Sequence, residues 1–130
     1  MRAGARRISG VMAIAAVMVA AMATTAQAGP PPAINVVPPT ISGVPLKGQT
    51  LTADPGFWTR GGSPYVYAYA WLRCDNLGNN CTGTGVTTQT YRVTAADVGH
   101  TIRVRVTCTG DNGNGQPVDA TSAPTAPVLA

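Results

Sequence analysis

The chain has 130 residues, with nine Lys and Arg against five Asp and Glu, a single His, three Cys, 15 Gly and 11 Pro. Arg2, Arg6 and Arg7 fall within the first 28 residues, which leaves six basic against five acidic side chains in the remainder. That near-neutral remainder has no basic stripe to hold nucleic acid or an anionic membrane surface. It also has no Glu, one Lys and few Leu but many Thr, Val, Tyr, Gly and Pro, a composition that suits strands and turns and argues against a helical protein.

Residues 1–28 read as a secretory signal peptide. The three Arg form a positive start, Ile8 to Ala23 is uncharged and apolar or small, and Ala26-Gln27-Ala28 is an A-x-A cleavage site. The apolar stretch is shorter than the roughly 20 residues of a bilayer span, so cleavage after Ala28 is expected rather than stable membrane insertion. The expected location is therefore secreted or extracellular. The remaining residues, about 100, suffice for one domain with a core and no metal.

Residues 29–38 form a Pro-rich leader, expected to be extended and only partly ordered. The domain proper is expected over 39–130. Thr40 to Gly43 reads as a short first strand, and Gln49 to Ala53 alternates as the second with Leu51 and Ala53 inward, broken by Asp54-Pro55-Gly56. Tyr65 to Arg73 is the clearest strand, its aromatics Tyr65, Tyr67, Tyr69 and Trp71 falling on one face at a spacing of two. After a turn at Asp75–Asn80 the chain returns from Cys81. Thr88–Val93 reads as a further strand and Thr94–Gly99 as a helical turn. Thr101–Cys108 places Ile102, Val104, Val106 and Cys108 inward. Two Asn-Gly steps in Asp111–Gly115 signal a hairpin, and a last strand is expected from about Gln116 to Val128. Such a series predicts an all-β, two-sheet sandwich of about seven strands with Trp71, Tyr69, Ile102, Val104 and Val106 in its core.

The stretches P-x-I-S-G-x-P near 39–45, G-Q-T-L-T-A-x-P-G-x-W at 48–58, Y-A-Y-A-W-L-R-C-D-x-x-G-x-x-C at 67–81, Y-R-V-T-A-A-D-V-G-H-T-I-R-V-R-V-T at 91–107 and S-A-P-T at 122–125 resemble a bacterial Ig-like repeat module. The resemblance covers about 39–128 and implies an Ig- or fibronectin-like sandwich of secreted and surface proteins. It implies little about function, because such folds host many roles. Here Leu51 stands on the second strand and Arg103 stands where Cys would follow, so the inter-sheet disulfide of antibody domains is absent.

The six-residue turn between Cys74 and Cys81 brings them within bridging reach in an oxidising compartment. Cys74 has the opposite parity to Trp71, so the bridge is expected off the core face. Cys108 is expected as a free buried thiol, behaving as a small hydrophobe. One His and one Cys outside that pair make a poor zinc site.

No cofactor or catalytic centre is expected. His100 reads as an exposed strand-end residue, no nucleophile elbow is present, and the five Asp lie spread over turns. Calcium at Asp75, Asn76, Asn79 and Asn80, or at Asp111, Asn112 and Asn114, competes with plain turn chemistry, which uses the same residues. Two functions follow. One is a secreted, non-catalytic module for protein contact or a structural or adhesive role, acting through loops or edge strands. The other is a carbohydrate or cell-wall glycan binder that uses exposed aromatics, with Trp58 and Tyr65 as the candidate ligand contacts.

Overall fold

The computed structural model describes residues 29–130, so the expected signal peptide lies outside the described residues. Nine strands occur among them: β1 (Ile34–Val37), β2 (Thr40–Ser42), β3 (Thr50–Asp54), β4 (Phe57–Thr59), β5 (Val66–Cys74), β6 (Thr82–Gly83), β7 (Thr90–Arg92), β8 (Thr101–Thr109) and β9 (Pro117–Thr121). Two 3-10 turns, Ala95–Asp97 and Asp111–Gly113, interrupt them. The protein is all-β, and its strands form three antiparallel sheets, β1-β4, β2-β3-β7 and β6-β5-β8-β9.

Alternation in the sequence sets which side chains meet. On β8, Ile102, Val104, Val106 and Cys108 have no exposed surface, while Arg105 between them is exposed. β5 pairs with β8 along nine residues, placing Trp71 opposite Val104 and Tyr69 opposite Val106. From the three-stranded sheet, Leu51, Ala53 and Tyr91 join the same cluster. The Trp71 ring stacks on Tyr91 with centroids 5.3 Å apart, and its Nε1–H donates to the Thr88 carbonyl at 2.7 Å, so the indole is both packed and polar-satisfied. Tyr69 is only half-buried, packed against the rim of this cluster.

The structure departs from the sequence reading at both ends of the domain. The Pro-rich leader is extended but is not a partly ordered tail: β1 pairs with β4, Ala33 is buried in the core and Pro39 is fully buried. The apolar, β-branched run Ile34-Asn35-Val36-Val37 has the material of a strand despite its flanking prolines. Gly56, at φ +82°, admits the end of β1; a Cβ there would lie 2.1 Å from the Val37 carbonyl oxygen. The strand expected over 116–128 ends at Thr121. Pro124 and Pro127 have no N–H to extend the ladder. The segment instead crosses over, and Val128 and Leu129 make parallel bridges to Val98 and Leu46.

Candidate functional site

Trp58 does not stand free as a ligand contact. It is 4% exposed, belongs to the core cluster and donates its Nε1–H to the Pro55 carbonyl at 2.7 Å. The alternation within β4 turns Trp58 inward and leaves Phe57 53% exposed beside Val37, its cross-strand partner. Tyr65 is half-buried; its hydroxyl donates to the Arg60 carbonyl at 2.8 Å and its ring lies tilted 6.4 Å from that of Tyr67. Burial, then the neighbouring Asp54 charge, raises the Tyr69 pKa, and the same burial raises that of Tyr67. The expectation of an exposed Trp58 is thus corrected, since parity within a three-residue strand cannot be read before its partner is known.

Two loops meet at the Tyr65 end. The first joins β4 to β5 through Arg60-Gly61-Gly62-Ser63-Pro64, and the second joins β8 to β9 through Gly110–Gln116. They are tied by backbone alone: the Asp111 N–H donates to the Gly62 carbonyl and the Asn112 N–H to the Pro64 carbonyl at 2.9 Å. The approach requires bare glycine at 110, where a Cβ would sit 2.3 Å from the Gly61 carbonyl oxygen. The double Asn-Gly signal does mark a hairpin, but a 3-10 turn closes it instead of a two-residue turn. Four described non-glycine residues have left-handed backbone, and three of them, Arg60, Asp111 and Asn112, lie in this loop pair. All three are exposed, so a cation, a carboxylate and an amide are presented together on a backbone held in a costly conformation.

The opposite end is held by side chains. Asp97 is fully buried and accepts from Arg73 Nε at 2.7 Å, from the Tyr91 hydroxyl at 2.7 Å and from the Thr94 N–H at 2.8 Å. Burial alone would raise its pKa, but these hydrogen bonds and the Arg73 charge outweigh it and hold the carboxyl below the usual range. The Asp97 hydrogen bond correspondingly raises the Arg73 pKa. This Arg73–Asp97 contact is the one ion pair among the described residues. Asp97 was legible in the sequence only as part of a turn; the residues that trap its charge come from β5 and β7, which the chain order does not bring together.

Cys74 and Cys81 form a disulfide across the β5–β6 turn. Cys74 is buried but outside the core cluster and Cys81 is exposed, so the bridge sits off the core face as parity required. The turn inside it is organised by Asp75, whose Oδ1 accepts the Leu77 and Asn79 N–H groups and whose Oδ2 accepts the Asn80 amide. Those bonds lower the Asp75 pKa, the Asn79 backbone bond first, and they occupy the oxygens that a calcium reading assigned to a cation. His100 is exposed, its Nδ1 3.1 Å from the Cys74 carbonyl oxygen. Cys108 is a free, buried thiol whose pKa is raised by burial, which disfavours the reactive thiolate.

A cleft of about 190 Å³ lies between β2 and the segment after β9, lined by Pro39, Thr40, Ile41, Ala123, Pro124 and Thr125, with no titratable group on its wall. Among the described residues no group of three or more His, Cys, Asp or Glu could hold a metal ion, and no helix is long and apolar enough to cross a membrane. The Tyr65 end, with its two polar, backbone-tied loops, is therefore the candidate site. Comparison with family models, with curated proteins and with solved structures returned no match.

Proposed function

We propose that the chain is an exported, non-catalytic Ig-like sandwich module that makes protein contacts at the cell exterior through its Tyr65-end loops, in a structural or adhesive role. The A-x-A site and the Cys74–Cys81 bridge support export. The sheet orders β2-β3-β7 and β6-β5-β8-β9, joined by one core, support the Ig-like reading. The observation that carries the functional reading is the clustering of Arg60, Asp111 and Asn112, exposed and left-handed, on two loops locked to each other. Rigid loops of mixed polarity are suited to a protein surface, because the ordering cost of binding is already met in the free state. The glycan reading loses its main support with Trp58 buried, since stacking on a sugar ring needs an exposed flat face.

The test is retention of the labelled protein on the producing cell's surface and on wall glycan stripped of protein. Arg60→Ala with Asn112→Ala is expected to abolish surface retention, while Lys47→Ala, in the β2–β3 connection, keeps it. Equal retention by all variants removes the loop reading, and binding to stripped glycan restores the alternative.

A further inference from the structure

β5, with β8 one of the two nine-residue strands among the described residues, is left half unpaired along the edge away from β8. β6 covers β5 only at Leu72 and Arg73, and the chain then bonds Trp71 through the Thr84 N–H at 2.9 Å and the Val86 carbonyl at 3.2 Å before leaving for the other sheet. Those bonds show that the N–H and C=O of Trp71 point to the β6 side. Backbone groups alternate along a strand, so the N–H and C=O of Tyr67 and Tyr69 point the same way. Val104, the residue opposite Trp71, fits this, because it bonds to Ser122 on the far side of β8; Val106 opposite Tyr69 and Cys108 opposite Tyr67 share its parity. No described strand lies beside Val66–Ala70 on that side, and Ala68 is exposed.

Natural edge strands are blunted by charge, proline or shortness. β9, the other edge of this sheet, carries Pro117 and Asp119. The open edge of β5 has none of these: Val66-Tyr67-Ala68-Tyr69-Ala70-Trp71-Leu72 is uncharged, free of Pro and rich in strand-forming residues. We propose that this edge, Val66 to Ala70, is an interface that pairs antiparallel with the same edge of a second copy of this chain.

The self-pair is favoured by the arrangement of its own groups. A two-fold axis through Ala68 sets Tyr67 of one copy opposite Tyr69 of the other. These are the two residues whose edge-facing backbone groups have no partner among the described residues, so both pairs exchange hydrogen bonds, and each tyrosine ring meets another across the strands. No charge opposes itself at the axis. The nearest Arg side chains on the outer face, Arg105 on each β8, are separated by three strand spacings, about 14 Å, and further offset along the strands because each lies opposite Ala70. That exceeds the screening length of about 8 Å at physiological salt. The blunted β9 edges lie outermost in the resulting eight-stranded sheet, so assembly stops at a dimer. The short contact makes that dimer a weak one. The interface adjoins the Tyr65-end loops at Val66 but uses the β5 backbone and none of Arg60, Asp111 or Asn112, so it is tested independently of their role.

Sedimentation velocity of the purified, disulfide-bonded protein from about 1 μM to about 1 mM tests it. A concentration-dependent monomer–dimer equilibrium is expected. Ala68→Lys places two like charges at the axis and weakens the dimer up to about fivefold. An equimolar mixture of A68K with A68E is expected to recover dimers. Ala68 is exposed, so unchanged Trp71 emission verifies the fold of each variant. A wild-type protein that stays monomeric throughout, an A68K protein that dimerises like wild type, or a ladder of higher oligomers overturns the proposal.

Discussion

The two ends of the domain are locked by opposite means. At the Asp97 end, side chains and a covalent bond hold the chain: one buried carboxylate gathers Arg73, Tyr91 and Thr94, and a disulfide closes the neighbouring turn. At the Tyr65 end, the contacts between the loops are backbone to backbone, made possible by Gly61, Gly62 and Gly110; Tyr65 and Asn114 brace each loop from within by donating to a loop carbonyl, while the exposed Arg60, Asp111 and Asn112 side chains make no hydrogen bond among the described residues. Side chains without such a duty are free to present chemistry to a partner. The difference therefore separates an end committed to stability from an end available for recognition.

The largest test of that division is Asp97→Ala. It leaves Arg73 beside a buried site with no counter-charge and removes the partner of the Tyr91 hydroxyl, so a loss of about 3–5 kcal/mol is expected in denaturant unfolding. The carboxyl is held below its ordinary value of about 3.9, so its stabilisation is fully present above that pH. It is lost as the pH falls through the depressed folded value. Wild-type stability measured from neutral pH downward should fall in that acid range, and Asp97→Asn should flatten the fall. An unchanged acid limb in the Asn variant would assign the effect elsewhere.

Next in size is the disulfide. Closing so short a loop contributes about 2.5 kcal/mol in the chain-entropy model, so Cys81→Ser should lower stability by that amount without touching the core. Near-ultraviolet circular dichroism of Trp71 should stay native, because the bridge lies outside the cluster that holds the indole. At the other end, Gly110→Ala forces a methyl against the Gly61 carbonyl and is expected to cost about 1–3 kcal/mol. Its signature differs: hydrogen exchange should rise at the Asp111 and Asn112 amides while the Asp97 end keeps its protection. A uniform rise at both ends would erase the distinction between them.

How much of this was legible in the sequence depended on whether a feature is local. Period-two alternation along β5 and β8 is local, and it named Trp71, Ile102, Val104, Val106 and Cys108 as inward residues before any partner strand was known. The Cys74–Cys81 pair is also local, separated by seven positions across one turn. What escaped depends on which segments meet. Trp58 is buried because β4 takes β1 as its partner, a pairing across more than twenty residues that a Pro-rich leader does not advertise. The loop end was invisible for the same reason: Gly110 reads as an ordinary turn residue until Gly61 is placed against it.

The smallest effect bears most directly on the comparison. Asn112 has φ 53°, a conformation in which a side chain adds strain and glycine does not. If the loop end were kept only for stability, glycine there would serve as well. Asn112→Gly should leave stability within about 0.5 kcal/mol of wild type, because relief of left-handed strain offsets the greater freedom of the unfolded chain. Surface retention, by contrast, should fall, since the substitution removes an exposed amide and keeps the turn. Thermal unfolding and retention measured on one preparation of this variant therefore read the two properties separately. A parallel loss of both would mean that the Tyr65 end, like the Asp97 end, uses its side chains to hold the fold.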